Sequence, residues 1–104
     1  MEIHYYDSSF EKFTETLDPG VRKKVLRMVT LLEMSGSELR MPISRFITRN
    51  LHELRIRGEV EIRIFYAFHK NAAYILHTIH KQSQHTSPRE IRTATRRRND
   101  LERT

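Results

Sequence analysis

The sequence predicts one α+β domain. An N-terminal helix hairpin packs on one face of a small, twisted, mainly antiparallel sheet, and a further helix closes the chain. Three observations predict it. Apolar residues recur at helical spacing through residues 9–35. Three strand-like runs follow one another between residues 51 and 81. A Ser-Pro-x-Glu helix start then stands at 87–90.

In chain order, Ile3, Tyr5 and Tyr6 form a short strand. Ser8 and Glu11 have the spacing of a capping box, and Phe10, Phe13 and Leu17 make one face of a helix over 9–17. Asp18-Pro19 restarts the chain as N-cap and first-turn proline. Val21, Val25, Met28, Val29 and Leu32 continue one apolar face to Ser35, and Gly36 ends that helix. Residues 37–50 read as an irregular connector, because Pro42 breaks any longer helix.

The next strand, 51–57, sends His52, Leu54 and Ile56 one way and Glu53, Arg55 and Arg57 the other. Gly58-Glu59 is the turn. The strand over 60–69 turns Ile62, Ile64, Tyr66 and Phe68 inward and Glu61, Arg63 and Phe65 outward. Asn71 marks another turn before a strand over 73–81. Consecutive hairpins make the sheet antiparallel, with its apolar face under the helix hairpin and its arginines on the other face. Ser87, Pro88 and Glu90 start the last helix, whose stripe of Ile91, Ala94, Thr95 and Leu101 is weakly apolar. Arg96-Arg97-Arg98 reads as a solvated, fraying end.

Composition bounds the function. The 104 residues form a single domain over 1–104. With no cysteine, disulfides and thiolate metal sites are excluded, which fits a reducing compartment. No apolar run approaches the roughly 18 residues of a membrane span. The opening MEIHYYDSSF is acidic and mixed, unlike a signal peptide. The expectation is a cytoplasmic protein without a membrane partner. The net charge of +6 points to nucleic acid or an acidic protein as partner. Fourteen of the 19 cations are arginine, which favours bidentate phosphate contacts.

Arg55 and Arg63 sit across a turn on one outward face, where two guanidinium forks can clamp a phosphodiester. Cross-strand pairing with Glu53 and Glu61 accounts for them equally well. Lys81, Gln82, Gln84 and His85 follow the last strand, and His77, His80 and His85 have the neutral-range titration that acid–base chemistry needs. Arg45 and Arg57 complete the candidate RNA-binding set with Gln82 and His85. No histidine has metal-ligand spacing and no glycine-rich phosphate loop is present, so neither metal nor cofactor is expected.

Leu51-x-Glu53-Leu54-Arg55, Arg63-Ile64-Phe65-Tyr66 and Lys81-Gln82-Ser83-Gln84 leading to Glu90-Ile91 and Ala94 occur in an order that resembles the RelE/HigB superfamily of type II toxins. Leu39-x-Met41-Pro42 matches its phage-derived HigB-like branch. The resemblance implies a RelE-like fold and a ribosome-dependent mRNA endoribonuclease that inhibits translation. The implied reaction is metal-free attack of a ribose 2′-OH on the adjacent phosphate. In that resemblance Arg63 stabilises the phosphate, Arg55 fills a second basic position, and Lys81 is the first of a basic pair. Gln82 stands where the second cation belongs, and His80 or His85 is a candidate substitute for that cation. The implied partners are a cognate helix-turn-helix, HigA-like antitoxin, the ribosome and mRNA, with operator DNA reached only through the antitoxin complex. Two other readings remain: a same-fold toxin that poisons gyrase, and a nucleic-acid-binding module without chemistry.

Overall fold

The computed structural model describes residues 1–82 and 85–104. Its elements run β1 (Glu2–Tyr5), α1 (Ser9–Glu15), α2 (Pro19–Ser35), a 3-10 turn (Gly36–Glu38), β2 (Ser44–Thr48), β3 (Leu51–Ile56), β4 (Ile62–His69), β5 (Ala72–His80) and α3 (Pro88–Glu102). One five-stranded sheet has the order β1-β5-β4-β3-β2. The β3–β4–β5 meander is antiparallel, as the hairpin turns predict. The sheet is mixed, however, because β1 pairs parallel to β5.

The expected irregular connector contains a strand. β2 pairs antiparallel with β3 and forms a sheet edge. Pro42 precedes this strand, so it costs the ladder no donor. α1 is capped differently from the sequence expectation: Ser8 makes no side-chain cap, and Asp7 Oδ1 instead accepts from the Ser9 amide at 2.9 Å. At the end of α2, Gly36 adopts φ +54°, the left-handed conformation glycine takes at no Cβ cost.

The helix hairpin covers one sheet face. Phe10, Leu17, Val25, Val29 and Leu32 pack there against Leu54, Ile56, Ile62, Ile64 and Tyr66. The other face is not left open along its length. α3 crosses it and buries Leu51, Phe65, Ala67 and Leu76 against Ala94 in a second core. A register shift after Phe65 leaves Leu76 unpaired, so Leu76 and its neighbour His77 both serve the α3 side.

The terminal arginine run is fastened instead of fraying. Arg98, 7% exposed, donates to the Arg49 carbonyl at 2.5 Å. Arg97 donates to the Leu76 carbonyl at 2.7 Å and lies over the Tyr6 ring. Glu102 takes a bidentate bond from Arg49 and a third from Asn50. These bonds tie α3 to the β2–β3 turn. They stop it short of the opposite end of the sheet, where the arginines lie.

Candidate functional site: a basic cluster around Glu53

Pairing register gathers the cations. Arg55 lies opposite Arg63, Arg45 opposite Glu53, and Arg63 opposite Ile79 two residues before Lys81. Side chains alternate along strands, so Arg45, Glu53, Arg55, Arg63 and Lys81 share the face that α3 leaves uncovered. Arg57, exposed just beyond β3, borders them.

Glu53 is the centre of this cluster and is fully buried. Its Oε1 stands 3.5 Å from Arg45 Nε and 3.8 Å from Arg63 Nε. Its Oε2 accepts from the Thr86 hydroxyl at 3.0 Å, which draws the β5–α3 connection onto the site. Arg63 is only 2% exposed, contrary to the open strand face expected of it. Its Nη1 donates to the Ile62 carbonyl at 3.0 Å and pairs with Glu61 at 3.0 Å. The pairing of Arg63 with Glu53 and Glu61, one of two readings the sequence allowed, is therefore realised. Burying a guanidinium in the sheet requires it, because an unpaired buried charge is prohibitive.

Arg55 is different. It is half-buried, and among the described residues its Nη1 reaches the Met41 sulfur, at 3.7 Å. The Nε atoms of Arg55 and Arg63 and Glu53 Oε1 are buried without a hydrogen-bond partner among the described residues. Burial first, then Arg57 and Arg63, depress the Arg55 pKa. Burial and then Arg63 hold the Lys81 ammonium below its ordinary value; Arg55 and Arg45 add to the effect and Glu53 opposes it. Five cations (Arg45, Arg55, Arg57, Arg63, Lys81) thus meet two carboxylates (Glu53, Glu61). The surplus is positive, and the chemistry such a surplus favours is anion binding.

The histidines are placed less centrally. His80 pairs with Ile62, whose side chain enters the core beneath the helix hairpin. Its ring packs on Phe13 at 4.9 Å, across the sheet from the arginines. Its other edge borders a shallow cleft of about 310 Å³ that also includes Lys81, Gln82, His85 and Thr86. Gln82 and His85 are exposed there. Gln84 and Ser83 lie outside the described residues. His77 lies 3.3 Å from Glu90 and stacks on Phe65, which anchors the start of α3.

Sequence reasoning missed Thr86, whose contact with Glu53 spans 33 residues. No local pattern announces a contact of that range. Glu53 and Glu61 were legible as acids on the arginine face; that one would be the buried hub was not.

No curated protein matches the chain. The family model described as "Phage derived protein Gp49-like (DUF891)" matches residues 12–99, from α1 almost to the end of α3. Members of this family are RelE/HigB-like toxins, and a toxin of a toxin–antitoxin system implies an antitoxin partner. The match takes in every strand except β1 and the whole basic cluster: the chain belongs to the Gp49-like phage-derived protein family.

Proposed function

We propose that the protein is an RNA-cleaving toxin that acts on mRNA in the ribosome, inhibits translation, and is held in check by a helix-turn-helix antitoxin. The observation that carries this reading is the convergence of Arg45, Arg55, Arg63 and Lys81 on one uncovered sheet face around Glu53. In the proposed reaction the ribose 2′ oxygen attacks the adjacent phosphorus and gives its proton to solvent water. The P–O5′ bond breaks, the 5′ oxygen takes up a proton, and a 2′,3′-cyclic phosphate and a 5′-hydroxyl remain. Arg55, with its unpartnered Nε, binds the phosphate and stabilises the charge that builds on its oxygens. Arg63 joins it when a phosphate oxygen displaces the Glu61 carboxylate. Lys81, with its depressed ammonium, delivers the proton to the 5′ oxygen. Glu53 orients Arg45 and Arg63 from beneath as a positioning residue. Arg57 and Arg45 hold the flanking backbone, and Gln82 and His85 line its exit along the cleft beside Lys81. His80 is left to the α1 side.

One observation favours a second reading. Arg63 is already neutralised by Glu61 and Glu53, as in a module that binds RNA without cutting it. Primer extension on a reporter mRNA in a translating extract separates the two. The toxin reading expects cuts in codon register that require translating ribosomes and disappear in Arg55→Ala and Lys81→Met. Arg63→Ala is the weaker test, because it also unpairs buried Glu53. RNA binding without cuts supports the second reading. Intact mRNA with impaired supercoiling by gyrase refutes both.

A further inference from the structure

On the other side of β2, and on the opposite sheet face, lies a groove that none of the proposed chemistry uses. Its volume is about 550 Å³. One wall is the 37–41 connector, with Leu39, Arg40 and Met41; the floor is Ser44, His52, Tyr66 and Phe68; the rim is Phe46. Four rings cluster there. His52 stacks on Tyr66 at 5.2 Å and 23°, and meets Phe46 and Phe68 edge-on at 5.9 and 5.3 Å. Phe46, on the edge strand β2, is 66% exposed. At the floor, the hydroxyls of Ser44 and Tyr66 lie 2.5 Å apart. Two hydroxyls bonded to each other use one of their two protons, so the pair retains a donor as well as acceptor lone pairs. Burial and then Arg40 lower the His52 pKa.

We propose that this groove is a nucleobase subsite. It holds one unpaired base of an RNA strand whose backbone crosses the β2 edge onto the arginine face. The inference rests on the RNA reading above. The base would lie against Phe46 and His52, as single-stranded RNA bases stack on aromatic side chains. Its polar edge would take the spare donor and acceptor of the Ser44–Tyr66 pair. Three features favour a base with its phosphate over an apolar peptide side chain. The floor carries the Ser44–Tyr66 hydroxyl pair, whose spare donor and lone pairs an apolar group would leave unmet. Among the described residues, the one charged lining residue is a cation, Arg40, and no carboxylate lines the groove. The groove also adjoins the basic cluster at one point, where Met41 in its wall lies 3.7 Å from Arg55.

The test is binding of a 2′-O-methylated single-stranded RNA 12-mer carrying 5-iodouridine, read by anisotropy and by mapping of photo-crosslinks. Phe46→Ala, at an exposed ring, should weaken binding about ten-fold without altering its salt dependence, because stacking and not phosphate contact is lost. Tyr66→Phe, which keeps the ring, should weaken it less. Arg45→Ala and Arg57→Ala should reduce the salt dependence, and crosslinks should fall on Phe46 and its groove neighbours. Unchanged affinity in Phe46→Ala, with crosslinks only on the arginine face, overturns the subsite and leaves the RNA reading intact. Unchanged RNA affinity with lost antitoxin binding also overturns it, and makes the groove a protein-docking surface. Crosslinks in the groove with no effect of Arg45→Ala or Arg57→Ala uphold the subsite and count against the arginine face. Absence of RNA binding by the wild-type protein overturns both.

Discussion

Replacing Glu53 by alanine removes the acid around which the cluster is built, and the cost follows from what is left behind. The carboxylate is fully buried, with Arg45 Nε at 3.5 Å, Arg63 Nε at 3.8 Å and the Thr86 hydroxyl at 3.0 Å. Arg45 is half in water and loses little. Thr86 turns to solvent. Arg63, 2% exposed, is the residue that suffers. Removing one partner of a buried ion pair costs about 3–5 kcal/mol, because the other charge stays buried. Arg63 keeps Glu61 at 3.0 Å and the Ile62 carbonyl, which sets the expectation at the low end, about 3 kcal/mol. Urea unfolding followed by circular dichroism measures it. With a slope of about 1.5 kcal/mol per molar, the midpoint falls by about 2 M. Glu53→Gln is the companion variant. It keeps the volume and an oxygen for Thr86 and Arg63, and should cost only about 1 kcal/mol. A loss below about 1 kcal/mol in Glu53→Ala would refute the reasoning, since Arg63 would then not depend on Glu53 for its burial.

Three more predictions concern charge. Glu61→Gln releases Arg63 from its 3.0 Å partner; RNA affinity at low salt should rise several-fold, and an unchanged affinity means Arg63 stays out of reach of phosphate. The Lys81 ammonium loses its proton at lower pH than an ordinary lysine. RNA affinity should therefore decline early on the alkaline side, and Lys81→Arg, which stays charged, should remove that decline. Glu102 is held at about 2 against an ordinary 4.5, first by its bonds from Arg49 and Asn50. A depressed carboxylate stabilises the fold fully above 4.5, and that contribution fades as pH falls toward 2. Glu102→Gln should flatten the loss of urea midpoint across that window, and a slope equal to the wild type's would show that the Arg49–Glu102 pair does not stabilise the docking of α3.

Much of the fold was written in local pattern. Helical spacing at Phe10, Phe13 and Leu17 and at Val25, Val29 and Leu32 set the hairpin, and period-two alternation with turns near Gly58 and Asn71 set the β3–β4–β5 meander. Alternation also placed Arg55, Arg63 and Glu53 on one face. What it cannot carry is long-range partnership. β2 escaped notice because its edge-strand alternation is broken by exposed Phe46 and cations, and only pairing with β3 makes it a strand. That pairing is also what brings Arg45 to Glu53. The parallel pairing of β1 joins residues 70 apart in the chain, Glu2 with Ala72. His80 illustrates the limit of proximity in sequence: one residue from Lys81, it faces the opposite side of the sheet because strand neighbours point apart. Burial was decided last. From the sequence Arg63 was a cation on a sheet face. Only the tertiary structure, which sets the carboxylates of Glu53 and Glu61 beside it, made Arg63 a buried ion-paired residue while Arg55 stayed half-buried. Such burial depends on the desolvation of one side chain by elements distant in the chain, which no local spacing encodes.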